Sequence, residues 1–244
     1  MNFLLLVASL AATQVQADTS YLYRAHFVRA APGSLLELID MVKGRRTVHE
    51  AAGETPPFIM RHSQGDQWDL MLLYPMGTFQ DYFGPDRTSR REQAAAKSGM
   101  SAAEFESRLR QHASWQEDLF VLGPSLDVVS TTMNGGDYYH LEIFLALPGR
   151  HADLFRQREM ENDYLARVGR PQNLIFTRAA GSSWDAFTLG VYRDLKHWAA
   201  SADVAQEQAQ AAAIAAGFEG ADRIGSYMRT LIQYHHDTIG PAIR

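Results

Sequence analysis

Two pairs of polar residues stand out because each lies in a stretch of strand-forming composition with its members two apart: Arg24 with His26, and His140 with Glu142. Alternate residues of a strand share one face, so each pair points to one side of its sheet. Imidazole exchanges a proton near neutral pH, and a carboxylate beside it supplies the countercharge that a buried cation needs. His26, His140 and Glu142 are therefore the candidate acid–base groups, the minimum for general acid–base work. Arg24 is the ligand-binding neighbour of the first pair. Arg45 continues the apolar stripe of a helix three residues beyond Val42 and is placed to reach a ligand carboxylate.

Other strings lead nowhere. His49-Glu50-Ala51-Ala52-Gly53 opens like a zinc-protease helix, but Gly stands where the second His is required. His235-His236-Asp237, read as helix, sets its imidazoles about 100° apart, so the two cannot share one metal. No metal site is expected. The chain has no P-loop, dinucleotide fingerprint or Gly-x-Ser-x-Gly turn. It has no cysteine, which removes disulfides and thiolate chemistry. A net charge of −5 without a basic stripe argues against nucleic acid.

The elements that carry the polar pairs occur twice. From Tyr23 to Tyr82 the chain aligns with itself without a gap at an offset of 116, with 11 of 60 positions identical. The identities fall on special residues: Tyr23 over Tyr139, Pro32-Gly33 over Pro148-Gly149, Gly65 over Gly181 and Trp68 over Trp184. The first copy reads as a strand at 21–30, a helix from Leu35 to near Gly53, strands at 58–63 and 68–74 around a tight Gln64-Gly65-Asp66-Gln67 hairpin, helical sequence over 86–122, and a strand at 126–133. Ser101 and Glu104 form a capping box within the helical part. Asn134-Gly135-Gly136-Asp137 is the linker, and 138–147, 150–168, 174–179, 184–192 and 194–237 repeat the order. Gly240-Pro241 overlies Gly123-Pro124 with three residues to follow, so the second sheet is expected to end incomplete, its free edge covered internally or by a second copy. The expected divisions are 1–17, 18–133 and 134–244.

The order β-α-β-β-α-β is the ferredoxin-like arrangement, α+β, with both helices on one face of an antiparallel sheet. With two copies in one chain, and with the Pro-Gly entries and Gly/Trp hairpins quoted above, the chain resembles the dimeric α+β barrel superfamily in tandem-duplicated form. The resemblance implies two modules packed sheet to sheet. It also implies a range of activities, from cofactor-independent monooxygenases and isomerases to haem-binding proteins.

The unbroken apolar row Tyr139, Leu141, Ile143, Leu145 and Leu147 is expected beneath the helices, as are Phe187 and Leu189. That reading turns Arg24, His26, His140, Glu142, Trp68, Tyr74, Trp184, Thr188 and Tyr192 toward the space between the sheets, an aromatic interior with a few polar groups. The ligand-binding candidates are then Arg24, Arg45, Trp68, Tyr74, Trp184, Thr188 and Tyr192. Ala186, Thr188 and Gly190 stand where the first copy has Leu70, Leu72 and Tyr74, so any opened space lies on the second side.

The leading expectation is an exported protein that binds a small apolar or aromatic molecule, its catalytic form being a cofactor-independent monooxygenase or isomerase. The alternatives are haem binding through His26, His140 or His197, and a non-catalytic protein with a filled interior. No motif names a reaction, so enzyme and binding protein both stay open. Residues 1–17 read as a secretory signal, with an apolar run from Phe3 to Ala12 and a Val15-Gln16-Ala17 cleavage pattern. A periplasmic or secreted location follows, with no membrane span, as a monomer or weak homodimer.

Overall fold

The computed structural model describes residues 21–244, so the segment 1–17, read above as a secretory signal, lies outside the described residues. The elements are β1 (Tyr21–Ala30), α1 (Leu35–Ala51), β2 (Phe58–Arg61), β3 (Leu70–Gly77), α2 (Phe79–Tyr82), α3 (Pro85–Lys97), α4 (Ala102–His112), β4 (Ala113–Gly123) and α5 (Leu126–Asn134). The second half follows with β5 (Tyr138–Ala146), α6 (His151–Arg167), β6 (Leu174–Gly181), β7 (Ala186–Tyr192), α7 (Leu195–Ala199), α8 (Gln206–Ala215), α9 (Ile224–Arg229) and β8 (Ile232–Ile243).

The strands close into an antiparallel barrel in the order β1-β3-β2-β8-β5-β7-β6-β4. Each half contributes one ferredoxin-like sheet, β4-β1-β3-β2 and β8-β5-β7-β6, and the seams β2–β8 and β4–β6 join them. The glycines matched by the repeat sit at these seams. Gly65 has φ +128°, and a Cβ there would lie 2.0 Å from the carbonyl oxygen of Asp237; Gly181 has φ +92°, and its Cβ would lie 2.5 Å from that of Asp118. Only glycine lets each hairpin press so closely on the neighbouring strand.

Three elements differ from the sequence reading. The segment 113–123 is strand β4, not the end of a helix; 126–133 is helix α5, not a strand; and 232–237 is not the end of a helix but the first half of strand β8. The second sheet is therefore complete, and the expected free edge does not exist. Half of the capping box forms, the Ser101 hydroxyl accepting from the Glu104 amide at 3.1 Å while the Glu104 carboxylate accepts from Arg108, and the helix it starts ends at His112. Helix α5 packs Val129 and Met133 into the barrel core, while the Tyr23 hydroxyl donates to the Pro124 carbonyl at 2.8 Å.

The faces of the sheets are also opposite to expectation. Tyr139, Leu141, Ile143, Phe187 and Leu189 fill the barrel interior together with Tyr23, Phe27, Met71 and Leu73. Arg24, His26, His140 and Glu142 lie on the outer faces, beneath the helices. The physical reason is closure. A closed barrel interior has apolar walls on every side, whereas a helix–sheet layer meets water along its margins and can keep polar tips wet.

Candidate functional site in the second helix–sheet layer

The even rows of β5 and β7 and the odd row of β8 present His140, Glu142, Thr188, His235 and Asp237 outward, and α6 lays Gln157, Arg158 and Glu161 over them. Glu142 is paired directly with Asp237 in the β5–β8 register. Arg158 is the centre of the layer. Its side chain is 2% exposed, its Nη1 donates to Glu142 Oε2 at 3.4 Å, its Nε donates to Gln157 Oε1 at 2.7 Å, its Nη2 donates to Glu161, and its guanidinium lies 4.8 Å from the Phe144 ring centroid. The Thr188 hydroxyl donates to Glu142 Oε2 at 3.0 Å.

At the margin of the layer, Asp237 stands between two imidazoles. His140 Nε2 is 3.3 Å from its Oδ1 and His235 Nε2 is 3.1 Å from its Oδ2. Trp198, in α7, closes on the His140 ring at 5.8 Å, edge to face. Burial works against the His140 cation, yet the hydrogen bond to Asp237 and the charges of Glu142, Asp237 and Glu161 outweigh it and hold His140 above the usual imidazole range. Burial also disfavours the ionised form of Asp237, but His140, His235 and Arg158 keep its carboxyl below the usual range. Burial pushes Glu161 up despite Arg158. Such an arrangement can move a proton, hold a small polar group or ligate a cation.

No protein-family model and no curated protein matches this chain. Solved structures do. An anthrone oxidase-like protein is 10% identical at a TM-score of 0.59, with 93% of each chain covered. A "putative monooxygenase" from Lactobacillus acidophilus NCFM is 7% identical at 0.53, covering 92% of this chain and 94% of its own. A mutant chlorite dismutase from Candidatus Nitrospira defluvii is 12% identical at 0.50, with 93% of each chain covered. This chain has the dimeric α+β barrel fold.

Within the α+β barrel the expected site residues divide among three places. His140, Glu142, Thr188 and Tyr192 come together on the outer face of the second sheet. Arg24, His26, Tyr74 and Arg45 occupy the equivalent layer of the first half. There His26 Nδ1 lies 2.9 Å and Arg24 Nε 3.6 Å from Asp118 Oδ1, the Arg24 guanidinium covers Tyr74 at 4.5 Å, and Arg45 covers Phe105 at 4.9 Å. Trp68 and Trp184 do point into the barrel, at its mouth, because the loops before β3 and β7 break the alternation. The cavity between them is about 40 Å³, room for roughly one water molecule. The interior is filled by side chains. Sequence reasoning missed Asp118, Arg158, Glu161, His235 and Asp237. The offset of 116 was a signal for two of them, since it sets Arg158 over Val42 and Glu161 over Arg45.

Proposed function

We propose that the protein binds a small molecule against the outer face of the second half-sheet, beneath α6, and acts on it with the polar set there. The observation that carries this reading is the asymmetry between equivalent layers. Met41, Val42, Leu72 and Tyr74 build the first; Gln157, Arg158, Thr188 and Gly190 stand at the same repeat positions in the second. Burying a guanidinium with its carboxylates costs several kcal/mol per ion before pairing, and the first half has Val42 at the position of Arg158, so the fold does not need a guanidinium there.

Oxygenation or isomerisation of an aromatic or apolar molecule is the reaction class we assign, because both can begin with a proton leaving carbon and this set brings carboxylates and imidazole side by side. The anthrone oxidase-like and monooxygenase neighbours share the fold with this chain, which supports the class. Native mass spectrometry of protein isolated from its source tests it. A retained organic molecule is expected, and it should be lost in Gln157→Met/Arg158→Val/Glu161→Arg, which writes the first half's residues into the second. A bare chain mass, or equal retention by that variant, would overturn the reading. Export belongs to the same proposal, and the intact mass of secreted protein should correspond to a chain starting at Asp18.

Haem, the alternative, finds less support among these residues. A haem pocket needs a flat apolar slot beside an imidazole nitrogen, but His140 faces Asp237 and Glu142, His26 is 6% exposed with Nδ1 on Asp118, and His197 Nδ1 accepts from the Arg193 amide. Haem added to the purified protein should keep the spectrum of free haem. A new Soret band would reinstate it.

A further inference from the structure

We infer that the second half holds a divalent transition-metal cation between His140, Glu142 and Asp237. One ligand atom from each of these residues lies within 4.8 Å of the other two. The sheet itself sets this geometry: Glu142 and Asp237 are paired across β5–β8, and His140 is the next residue on the same face. The 3.3 Å between His140 Nε2 and Asp237 Oδ1 is long for a charge-assisted hydrogen bond. It matches the edge of a tetrahedron, about 3.3 Å, for metal–ligand bonds of 2.0–2.1 Å.

Partners from outside the three ligands fall on one oxygen of each carboxylate, and Oδ1 of Asp237 meets only His140, its fellow ligand. Thr188 and Arg158 both fall on Oε2 of Glu142, and His235 falls on Oδ2 of Asp237, which leaves Oε1 and Oδ1 as the oxygens available to a cation. Outer partners of this kind fix the orientation of metal ligands. Three protein ligands with a position left on the solvent side, where Asp237 is half-exposed, is the pattern of a catalytic rather than a structural metal.

Charge points the same way. Glu142, Glu161 and Asp237 set three carboxyl groups around one guanidinium, Arg158, an acidic excess that a cation would relieve. In the first half the equivalent residues are Arg24, His26 and Asp118, and there the chain supplies its own cation 3.6 Å from the aspartate. In the second half His140 stands at the repeat position of Arg24, so beside the aspartate an imidazole replaces that fixed cation. One imidazole with two carboxylates suits manganese, iron, cobalt or zinc. This inference deepens the small-molecule reading and rests on it for its purpose, since the open position is where a substrate oxygen or water would be polarised.

The test titrates Co²⁺ into the full chain, prepared without a histidine tag and stripped with chelator. One equivalent should produce visible ligand-field absorption that Zn²⁺ abolishes. His140→Ala and Asp237→Asn should each weaken binding at least ~10-fold, and Glu142→Gln, isosteric and checked for native far-UV circular dichroism, should do the same. His112→Ala, remote from the cluster, should titrate like the wild type. Absence of the bands at millimolar Co²⁺, or unaltered binding by His140→Ala and Glu142→Gln, would overturn the inference. A metal-loaded protein retaining no organic molecule would leave it standing and remove the small-molecule reading; a retained molecule without metal binding would do the reverse.

Discussion

Arg158 shows how a single buried charge constrains everything around it. Its guanidinium is compensated by Glu142, Glu161 and Gln157, and removing one member of such a set strands the others. Arg158→Met should cost about 3–5 kcal/mol in urea unfolding. In a Glu142→Gln/Glu161→Gln background the same change should cost under about 1.5 kcal/mol, because no unpaired carboxylate is left behind. Equal losses in both backgrounds would show that Arg158 contributes packing alone. A second residue-scale effect lies in the first half. Burial disfavours ionised Glu54, yet hydrogen bonds from His49 and Arg87 and the charges of Arg87 and Arg91 hold its carboxyl below the usual range. Burial likewise opposes ionised Asp118, and His26 and Arg24 overcome it. A carboxyl with a depressed folded-state pKa contributes stability that is present above its unfolded pKa and lost as pH falls through the folded value. Stability should therefore decline from about pH 4.5 downward, with a shallower slope in Glu54→Gln measured by urea melts across that range.

At the scale of elements, the hairpin glycines connect architecture to site. Gly181 presses on the backbone of Asp118, and Gly65 on that of Asp237, so each hairpin holds the strand that carries a site aspartate. Gly65→Ala adds a left-handed strain of about 1–3 kcal/mol together with a backbone clash. It should lower the thermal midpoint and disturb the second layer more than the first, read from separate ring signals of His140 and His26 by NMR. Equal disturbance of both would sever hairpin from site. The elements themselves were legible from Tyr21 through β3 and from β5 through β7, where periodicity and Gly/Pro punctuation agree. They were illegible where tertiary closure decides. Val128, Val129, Thr131 and Thr132 favour a strand locally, but capping at Ser125 and burial of Val129 and Met133 one turn apart make a helix. Read as helix, 232–237 separates His235 from Asp237. As strand it puts both on one face with His140 and Glu142, so the cluster was hidden by a period error. The polar pairs themselves were visible at once, because residue type and spacing of two survive whichever way the sheet faces.

The whole molecule is a barrel in which every strand has two neighbours, so no edge is left for another chain to extend. Its interior is shared: Tyr23, Phe27 and Met71 from one half meet Tyr139, Ile143 and Phe187 from the other in one core cluster. Among the described residues no helix is long and apolar enough to cross a membrane. These facts make opposite predictions for the whole chain and for its parts. The intact chain should run as a monomer in size-exclusion chromatography with light scattering at high concentration, since the surface that would drive pairing is already consumed internally. Residues 18–134 alone would expose an apolar sheet face and the unpaired margins of β2 and β4. That fragment should dimerise, with a second copy taking the place of the missing half, or aggregate. The pseudo-twofold makes the dimer geometrically feasible, because β4 would meet β2 of its partner where it now meets β6. A fragment that stays monomeric and melts cooperatively would show that one half-sheet can cover its own core, and the closed barrel would then be an assembly of two independent domains rather than one folding unit.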